Sequence, residues 1–205
     1  KIMPGTFNGT TLTISATPVD GALIPDKSAT NVAGIAIVGS DMYCVKTTGL
    51  KTTLLKTTDY MATKATAVKK DLNWFALGLT KIGNYLYMLA EDHKGYGGST
   101  TIVKLDTKGN QLGTYSINEI CPKGALGITA ADGTNEKFII MHYADKSNAG
   151  TLTFSVVDWK AAKAASTFTV TNSGFGYTTR LQDIYYQLTA DATTEYHLSR
   201  NVHTE

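Results

Sequence analysis

The chain is a succession of short apolar stretches separated by turn residues, and a glycine step recurs among them. Gly34, Gly78 and Gly127 each follow a small or aliphatic residue and precede an aliphatic one, and each opens a new run of strand-like sequence. These glycines lie 44 and 49 residues apart, and a weaker fourth start follows Gly176, 49 residues further on. The sequence therefore repeats with a period in the forties, with several short strands in each period.

The second repeat shows the pattern most clearly. Its predicted strands cover 77–81, 85–90, 101–105 and 112–117, with turn residues between them. Segment 85–90 is apolar throughout, which is typical of a central strand that is buried on both faces. We therefore predict that each repeat is a meander of four antiparallel strands.

The other repeats follow the same order of strands and turns. The predicted strands are 34–38, 42–46, 52–57 and a fourth within 62–68 in the first repeat, 126–130, 137–143, 151–159 and 167–170 in the third, and 178–181, 184–188 and 194–198 in the fourth. The alanine- and lysine-rich segment 160–165 favours helix but is too short to form a stable one, so we predict a hairpin connection with at most one helical turn.

The fourth repeat ends without an outer strand, and one strand near the N-terminus has no repeat of its own. Segment 10–16 alternates polar and apolar residues and is followed by turn residues. Buried backbone groups must be hydrogen-bonded, and an open sheet edge favours aggregation. We therefore predict that 10–16 pairs beside 194–198, completes the fourth repeat and closes the chain into a ring.

The repeat period and strand order, from Val32 to the C-terminus, resemble those of β-propeller repeat proteins. The resemblance implies an all-β fold, a propeller of four blades that are each a four-stranded antiparallel sheet, closed by the N-terminal strand. The single domain 1–205 would then contain repeats near 32–70, 75–118, 124–171 and 176–205, plus strand 10–16. The alternative is that the chain is a piece of a larger propeller. The Trp-Asp, kelch and hemopexin blade signatures are missing, so the resemblance points to no specific propeller family.

Composition and charge narrow the classes of partner. Charged residues make up 18% of the chain and the net charge is +2, with Lys69-Lys70 as the one adjacent basic pair, which predicts no nucleic-acid partner. No apolar run approaches the roughly 20 residues that span a bilayer, so no membrane insertion is expected. The polar, threonine-rich sequence with two cysteines is typical of a secreted or cell-surface protein, and Lys1 in place of an initiating Met is expected of a processed or excised chain.

Catalytic and metal motifs are missing from the sequence. The histidines have no short metal-binding spacing, there is no Cys-x2-Cys pair, and no Gly-x-Ser-x-Gly motif presents a nucleophile. We therefore predict no catalytic residue, no metal site and no cofactor. Cys44 and Cys121 fall two repeats apart, and we predict that both are reduced and unbonded.

Aromatic and polar residues collect in connections that a propeller places on one face. In a meander blade, the connection between the second and third strands emerges on the same face as the connection that enters the first strand. An aromatic ring beside hydrogen-bonding groups suits a sugar, which stacks on the ring and pairs through its hydroxyls. We therefore predict a ligand-binding set at Trp74, Asp92, His93, Tyr96, Asp145, Tyr177 and Arg180. The alternative for Trp74 and Tyr177 is that they pack between blades.

These features favour a non-catalytic recognition module that binds a carbohydrate or a protein surface through one loop face. The first alternative is an enzyme of glycosidase or lyase type on a propeller scaffold, for which paired carboxylates about 5 to 10 Å apart would be the evidence. The second alternative is a structural subunit that assembles with further chains, which would show a large exposed apolar patch.

Overall fold

The structure is a computed structural model that describes residues 5–8, 10–14, 31–58, 65–92, 99–121, 125–132, 136–143, 151–158, 163–171, 184–190 and 196–202. Sixteen β-strands lie in these ranges, and every pairing between them is antiparallel. In the same part of the chain, no helix is long and apolar enough to cross a membrane.

Three sheets have four strands each, in sequence order from one edge to the other. The first sheet contains β3 (Asn31–Val38), β4 (Asp41–Thr48), β5 (Lys51–Thr57) and β6 (Thr66–Leu72). The second contains β7 (Phe75–Ile82), β8 (Tyr85–Glu91), β9 (Thr100–Leu105) and β10 (Gln111–Ser116). The third contains β11 (Ala125–Asp132), β12 (Lys137–Tyr143), β13 (Thr151–Asp158) and β14 (Lys163–Thr171).

Two hairpins form separate two-stranded sheets. The N-terminal hairpin joins β1 (Gly5–Phe7) to β2 (Leu12–Ile14), and the C-terminal hairpin joins β15 (Ile184–Ala190) to β16 (Tyr196–Val202).

The first hairpin of each of the first two sheets closes through a two-residue turn. Val38 pairs with Asp41 across Gly39, and Ile82 pairs with Tyr85 across Gly83. Both glycines have positive φ angles, 62° and 57°, which suit the tight turns that follow the right-handed twist of paired strands. The turn chemistry therefore sets the register of these hairpins.

The sheets are arranged side by side through their first strands, because β3 lies next to β7, β7 next to β11 and β11 next to β15. At two of these contacts a repeat glycine allows close approach. A β-carbon added at Gly34 would lie 2.1 Å from the Leu79 backbone nitrogen, and one added at Gly78 would lie 3.1 Å from the Ile128 side chain. Sheets stacked through adjacent innermost strands are the blades of a β-propeller, which confirms the predicted all-β propeller fold.

The core consists of apolar seams between neighbouring blades. In β8, Leu86 and Met88 face the first sheet, whereas Tyr87 and Leu89 face the third, because successive strand residues point to opposite faces. All four are fully buried, and burial of each leucine or methionine side chain stabilises the fold by about 1.5 to 3 kcal/mol. The continuous apolar run in the sequence therefore corresponds to a strand buried on both faces, as predicted.

Two details of the first and third predicted repeats differ from the structure. The fourth strand of the first sheet is Thr66–Leu72 rather than a segment within 62–68. Strand β14 begins at Lys163, so the predicted hairpin connection with a helical turn is wrong for 163–165, and 160–162 lie outside the described residues. Ala164 of β14 pairs with Val157 of β13, which shows that sheet pairing overrides a local preference for helix.

The fourth repeat is displaced by one strand from its predicted position. Strand β15 lies against β11, as β11 lies against β7, so 184–190 is the innermost strand of the fourth blade and not its second strand. The predicted strand 178–181 lies outside the described residues.

The predicted closure through 10–16 is not among the pairings of the described strands. Leu12–Ile14 pairs with Gly5–Phe7, so the premise that this strand has no local partner was wrong. Strand β16 pairs with β15. The count of four blades and closure of the ring by the N-terminal strand stay predictions, as does the assignment of 1–205 to a single domain.

Candidate functional site

Each end of the blades carries both two-residue connections and longer ones. At one end, called here the loop end, β6 leads into β7, β8 into β9 and β12 into β13, with 93–98 and 144–150 between the described residues of the last two pairs. At the other end, called here the turn end, β3–β4 and β7–β8 close through two-residue turns, and β5 leads into β6 through residues 58–65. Long connections gathered on one rigid face are where binding residues concentrate.

Five buried polar residues lie at the loop end between the second and third blades. Glu91 and Thr100 pair across β8 and β9 and face the third blade, because they continue the alternation of Leu89 and Ile102. Residues of β12 and β13 face them from the third blade, because these residues lie on the same side of that sheet as the buried Ile140. The group, called here the polar seam, consists of Glu91, Thr100, His142, Thr153 and Ser155, each at most 5% exposed.

Hydrogen bonding within the polar seam is incomplete. His142 Nε2 lies 2.9 Å from Ser155 Oγ. The hydroxyls of Thr100 and Thr153 are buried and have no hydrogen-bond partner among the described residues. A buried hydroxyl without a partner costs about 1 to 3 kcal/mol, so these two groups favour any ligand or water that reaches them.

Trp74 lies at the loop end, between β6 and β7, where it joins two blades. Its backbone nitrogen donates to Leu72 O at 2.8 Å, and its indole Nε1 donates to Gln111 Oε1 at 3.3 Å. The half-buried indole packs against the apolar cluster between the first and second blades. This placement matches the packing alternative for Trp74, while part of the side chain stays accessible at the loop end.

A threonine pair anchors the entry into the second blade. Thr52 Oγ1 donates to Trp74 O at 2.7 Å and accepts from the Ala76 backbone nitrogen at 3.2 Å. The Thr47 and Thr52 hydroxyls lie 2.9 Å apart, and both side chains are buried. The Thr52 side chain of the first blade therefore holds the backbone on both sides of Phe75, the first residue of β7.

Asp92 is hydrogen-bonded to Ser99 across the two ends of the connection between β8 and β9. Its backbone nitrogen donates to Ser99 O at 3.2 Å, and its Oδ1 accepts from the Ser99 nitrogen at 3.3 Å. Phe75 pairs with Glu91, so Asp92 and Trp74 flank the same end of the second blade. The structure thus places these two predicted site residues on the predicted face.

The remaining predicted site residues lie outside the described residues, and their roles stay predictions: His93, Tyr96, Asp145, Tyr177 and Arg180. The connection between β15 and β16 was predicted for the loop face. That connection, 191–195, also lies outside the described residues.

At the turn end, a polar group ties the second and third blades together. The Tyr87 hydroxyl donates to Glu136 Oε1, and Lys104 Nζ forms an ion pair with the same oxygen. The Lys104 ammonium also lies 4.4 Å from the centre of the Tyr85 ring. Burial and the bond to Glu136 raise the pKa of Tyr87, so its hydroxyl stays protonated.

Both cysteines are free thiols in the core, Cys44 in β4 and Cys121 after β10. Cys44 and Cys121 are fully buried, and burial raises the pKa of each to about 12. A thiol that keeps its proton at neutral pH is a poor nucleophile. Within the described ranges, no group of three histidine, cysteine or acidic residues could hold a metal ion.

Comparisons with known proteins identify the fold. No protein-family model and no curated protein matches the sequence. A glutaminyl cyclase from Myxococcus xanthus superposes with a TM-score of 0.53 at 11% identity, over 82% of this chain and 67% of that chain. BamB from Moraxella catarrhalis matches with a TM-score of 0.41 at 16% identity, over 76% and 42% of the two chains. The β-propeller domain of the Trilobed protease from Pyrococcus furiosus matches with a TM-score of 0.40 at 10% identity, over 86% and 58%.

All three structures are β-propeller proteins. This chain spans about two thirds or less of the length of each of them. At 11% identity, the likeness to the glutaminyl cyclase shows the fold alone.

Proposed function

We propose that this β-propeller is a non-catalytic recognition module that binds a carbohydrate or a protein surface at the loop end. The observation that carries the proposal is the polar seam, in which hydrogen-bonding groups continue an apolar seam at the end where the connections 93–98 and 144–150 lie. At the turn end, the ion pair of Lys104 and Glu136 and the hydrogen bond from Tyr87 are already made. Ligand groups are therefore favoured at the loop end.

The chemistry of the loop end suits a hydroxyl-bearing ligand. The Asp92 carboxylate and the unpartnered hydroxyls of Thr100 and Thr153 are hydrogen-bonding groups around one end of the second and third blades. Trp74 adds an indole that is half-buried and held by Gln111. An aromatic face beside such groups binds a sugar ring, and the predicted residues His93, Tyr96, Asp145, Tyr177 and Arg180 would complete the contact.

A recognition role of this kind fits a secreted or cell-surface protein, the location expected from the sequence. A four-bladed ring would hold the loop-end connections around one axis, which supports binding of a single extended ligand. Four successive innermost strands support that blade count.

The experiment is a glycan array followed by titration of the best glycan, with a panel of surface proteins as the second arm. Trp74→Ala and Asp92→Ala should weaken binding at least tenfold, while the turn-end control Asn84→Ala should leave binding unchanged. Melting curves of all variants separate loss of binding from unfolding. If Asn84→Ala abolishes binding while Trp74→Ala and Asp92→Ala bind normally, the site lies at the turn end.

The second candidate is an enzyme of glycosidase or lyase type, and one observation favours it. The Glu91 carboxyl and the His142 imidazole, two groups that can act as acid or base, face the same buried seam between the second and third blades. Incubation of the bound glycan with the protein, followed by chromatography, decides between the two candidates. An unchanged glycan supports recognition, whereas a cleaved glycan whose cleavage is lost in Glu91→Gln supports the enzyme.

A further inference from the structure

The junction between the first and second blades is closed at the loop end by bonded hydroxyls. Thr47 of β4 pairs with Thr52 of β5, and the two hydroxyls lie 2.9 Å apart. Thr52 Oγ1 also donates to Trp74 O and accepts from the Ala76 nitrogen, where the chain enters the second blade. Because both threonine hydroxyls are hydrogen-bonded, this junction serves as an internal standard for the polar seam.

The repeat places Glu91 and Thr100 of the second blade at the positions of Thr47 and Thr52. Thr47 and Glu91 each lie eight residues after the glycine of the first hairpin turn of their blade. Thr52 and Thr100 are their cross-strand partners. The Thr100 hydroxyl is nevertheless fully buried without a hydrogen-bond partner among the described residues. The bridge that Thr52 makes to the next blade is therefore not repeated at Thr100.

The third blade also carries polar side chains where the second blade carries apolar ones. Ala90 and His142 each pair with the residue two positions before the repeat glycine of their blade, so they occupy the same position. By the same register, Ser155 occupies the position of Val103. Ala90 and Val103 are buried in the apolar seam with the first blade, whereas His142 Nε2 lies 2.9 Å from Ser155 Oγ. The departures from the repeat thus lie on both sides of one junction.

Two hydroxyls of this junction are buried without a hydrogen bond. Thr100 is 0% exposed, and Thr153, the cross-strand partner of His142, is 5% exposed. Neither hydroxyl has a partner in the part of the chain that the structure describes. An unpartnered buried hydroxyl lowers stability, so valine at either position would make a more stable junction. Proteins tolerate such a loss where function requires it, so the departure from the repeat indicates a binding site.

We propose that the polar seam receives a hydroxyl group of the ligand between the second and third blades, with Thr100 and Thr153 as the residues that select it. This inference rests on the proposed function and narrows its ligand to a carbohydrate. A hydroxyl both donates and accepts hydrogen bonds, as the two threonines do, whereas an ionised Glu91 carboxylate only accepts them. A sugar ring carries hydroxyls around its edge, so it inserts one between two sheets that a protein surface would only cover.

The first test needs no ligand and measures stability by urea unfolding. Thr100→Val and Thr153→Val keep the shape of the side chain and remove an unpartnered hydroxyl, so the urea midpoint should stay unchanged or rise. Thr52→Val, at the equivalent position of the first blade, is the matched control and should lower the midpoint, because it removes two bonds to the second blade. A lower midpoint in either seam variant would show that its hydroxyl is already bonded in the free protein, which overturns the proposal.

The second test uses the glycan that binds best on the array, titrated into the unaltered chain and into the two seam variants. Each variant should bind it about tenfold more weakly, the factor that one lost hydrogen bond costs. Analogues of that glycan that each lack one hydroxyl identify the inserted group. One analogue should lose about the same factor with the unaltered chain and little further with the seam variants, because the inserted hydroxyl and its partners act as one unit.

The outcomes separate this inference from the proposed function. If the glycan binds both seam variants as tightly as the unaltered chain while Trp74→Ala binds it weakly, the seam takes no part and the inference fails alone. The inference also fails alone if the chain binds a protein of the surface panel and no glycan. If the unaltered chain binds neither, the inference and the proposed function fail together.

Discussion

Gly34 of the first blade lies so close to Leu79 of the second that a β-carbon at position 34 would fall 2.1 Å from the Leu79 nitrogen. The contact joins backbone to backbone, so rotation of a side chain does not relieve it. Gly34 also has a φ of 65°, a conformation that costs other residues about 1 to 2 kcal/mol. Steric approach and backbone conformation thus both require glycine here.

We predict that Gly34→Ala lowers the free energy of unfolding by about 2 to 4 kcal/mol, as the sum of backbone strain and overpacking. The matched control is Gly39→Ala, since Gly39 has a similar φ of 62° with nothing within 4 Å of the added carbon. It should lose only about 1 kcal/mol. Urea unfolding of both variants measures the difference, and equal losses would show that the close approach is not rigid.

Thr52→Val should destabilise the junction between the first and second blades. The substitution keeps the shape but leaves Trp74 O and the Ala76 nitrogen without the hydroxyl that bonds them, at a cost of about 1 to 3 kcal/mol. Thr53→Val, at the next position on the same strand, is the control and should change stability little. Thermal melting of the two variants compares them, and a neutral Thr52→Val would mean that solvent replaces both bonds.

The cysteines should be unreactive in the folded protein. With the pKa of each thiol raised to about 12, iodoacetamide at pH 8 should modify neither Cys44 nor Cys121 within hours. In urea, where both thiols regain their ordinary pKa, two alkylations should appear in the intact mass. Fast labelling of the native chain would contradict the burial.

The same thiols predict how stability depends on alkaline pH. Between about pH 9 and pH 12 the unfolded thiols lose their protons while the folded thiols keep them, so the free energy of unfolding falls as the pH rises. Below pH 9 both states hold the protons and this effect disappears. Replacing both cysteines by alanine should flatten the alkaline limb of a curve of stability against pH.

Because of Asp106, the free energy of unfolding should fall as the pH is lowered in the acid range, the opposite of the trend at alkaline pH. Burial raises its pKa, but hydrogen bonds from Asn110 and Lys108 outweigh burial and leave the pKa below the usual 3.8. The carboxylate therefore stabilises the fold above pH 3.8, and this contribution is lost as the pH falls through the lowered value. Asp106→Asn should reduce the acid dependence of the urea midpoint. An unchanged acid limb would assign that dependence to other groups.

The repeat of the fold was predictable because its physical cause lies in single residues. Gly34 and Gly78 are needed where neighbouring blades approach, so a spacing of glycines reveals the spacing of blades. The strand order of the fourth repeat was not predictable in this way. First and second strands share the same apolar alternation, and the contact of β15 with β11 decides which one is innermost.

The candidate site was predictable in part. Trp74 and Asp92 flank one end of the second blade, as the order of strands implies. Glu91 and His142 were not predicted as site residues. Each is a polar residue at or near the end of an apolar strand, where it indicates only the boundary of the strand. The available signal was their alternation with Leu89 and Ile140, which places both on buried faces. That these faces meet depends on how the blades pack, which a single strand does not reveal.

The glycine contacts have a consequence for how this scaffold tolerates change. Because Gly34 and Gly78 fix the distance between blades through the main chain, that distance does not depend on which side chains fill the seams. Substitutions in the seams should therefore alter stability while the geometry of the loop end is preserved. The connections at that end are free to diversify on a constant frame, so ligand preference can evolve separately from the architecture that presents it.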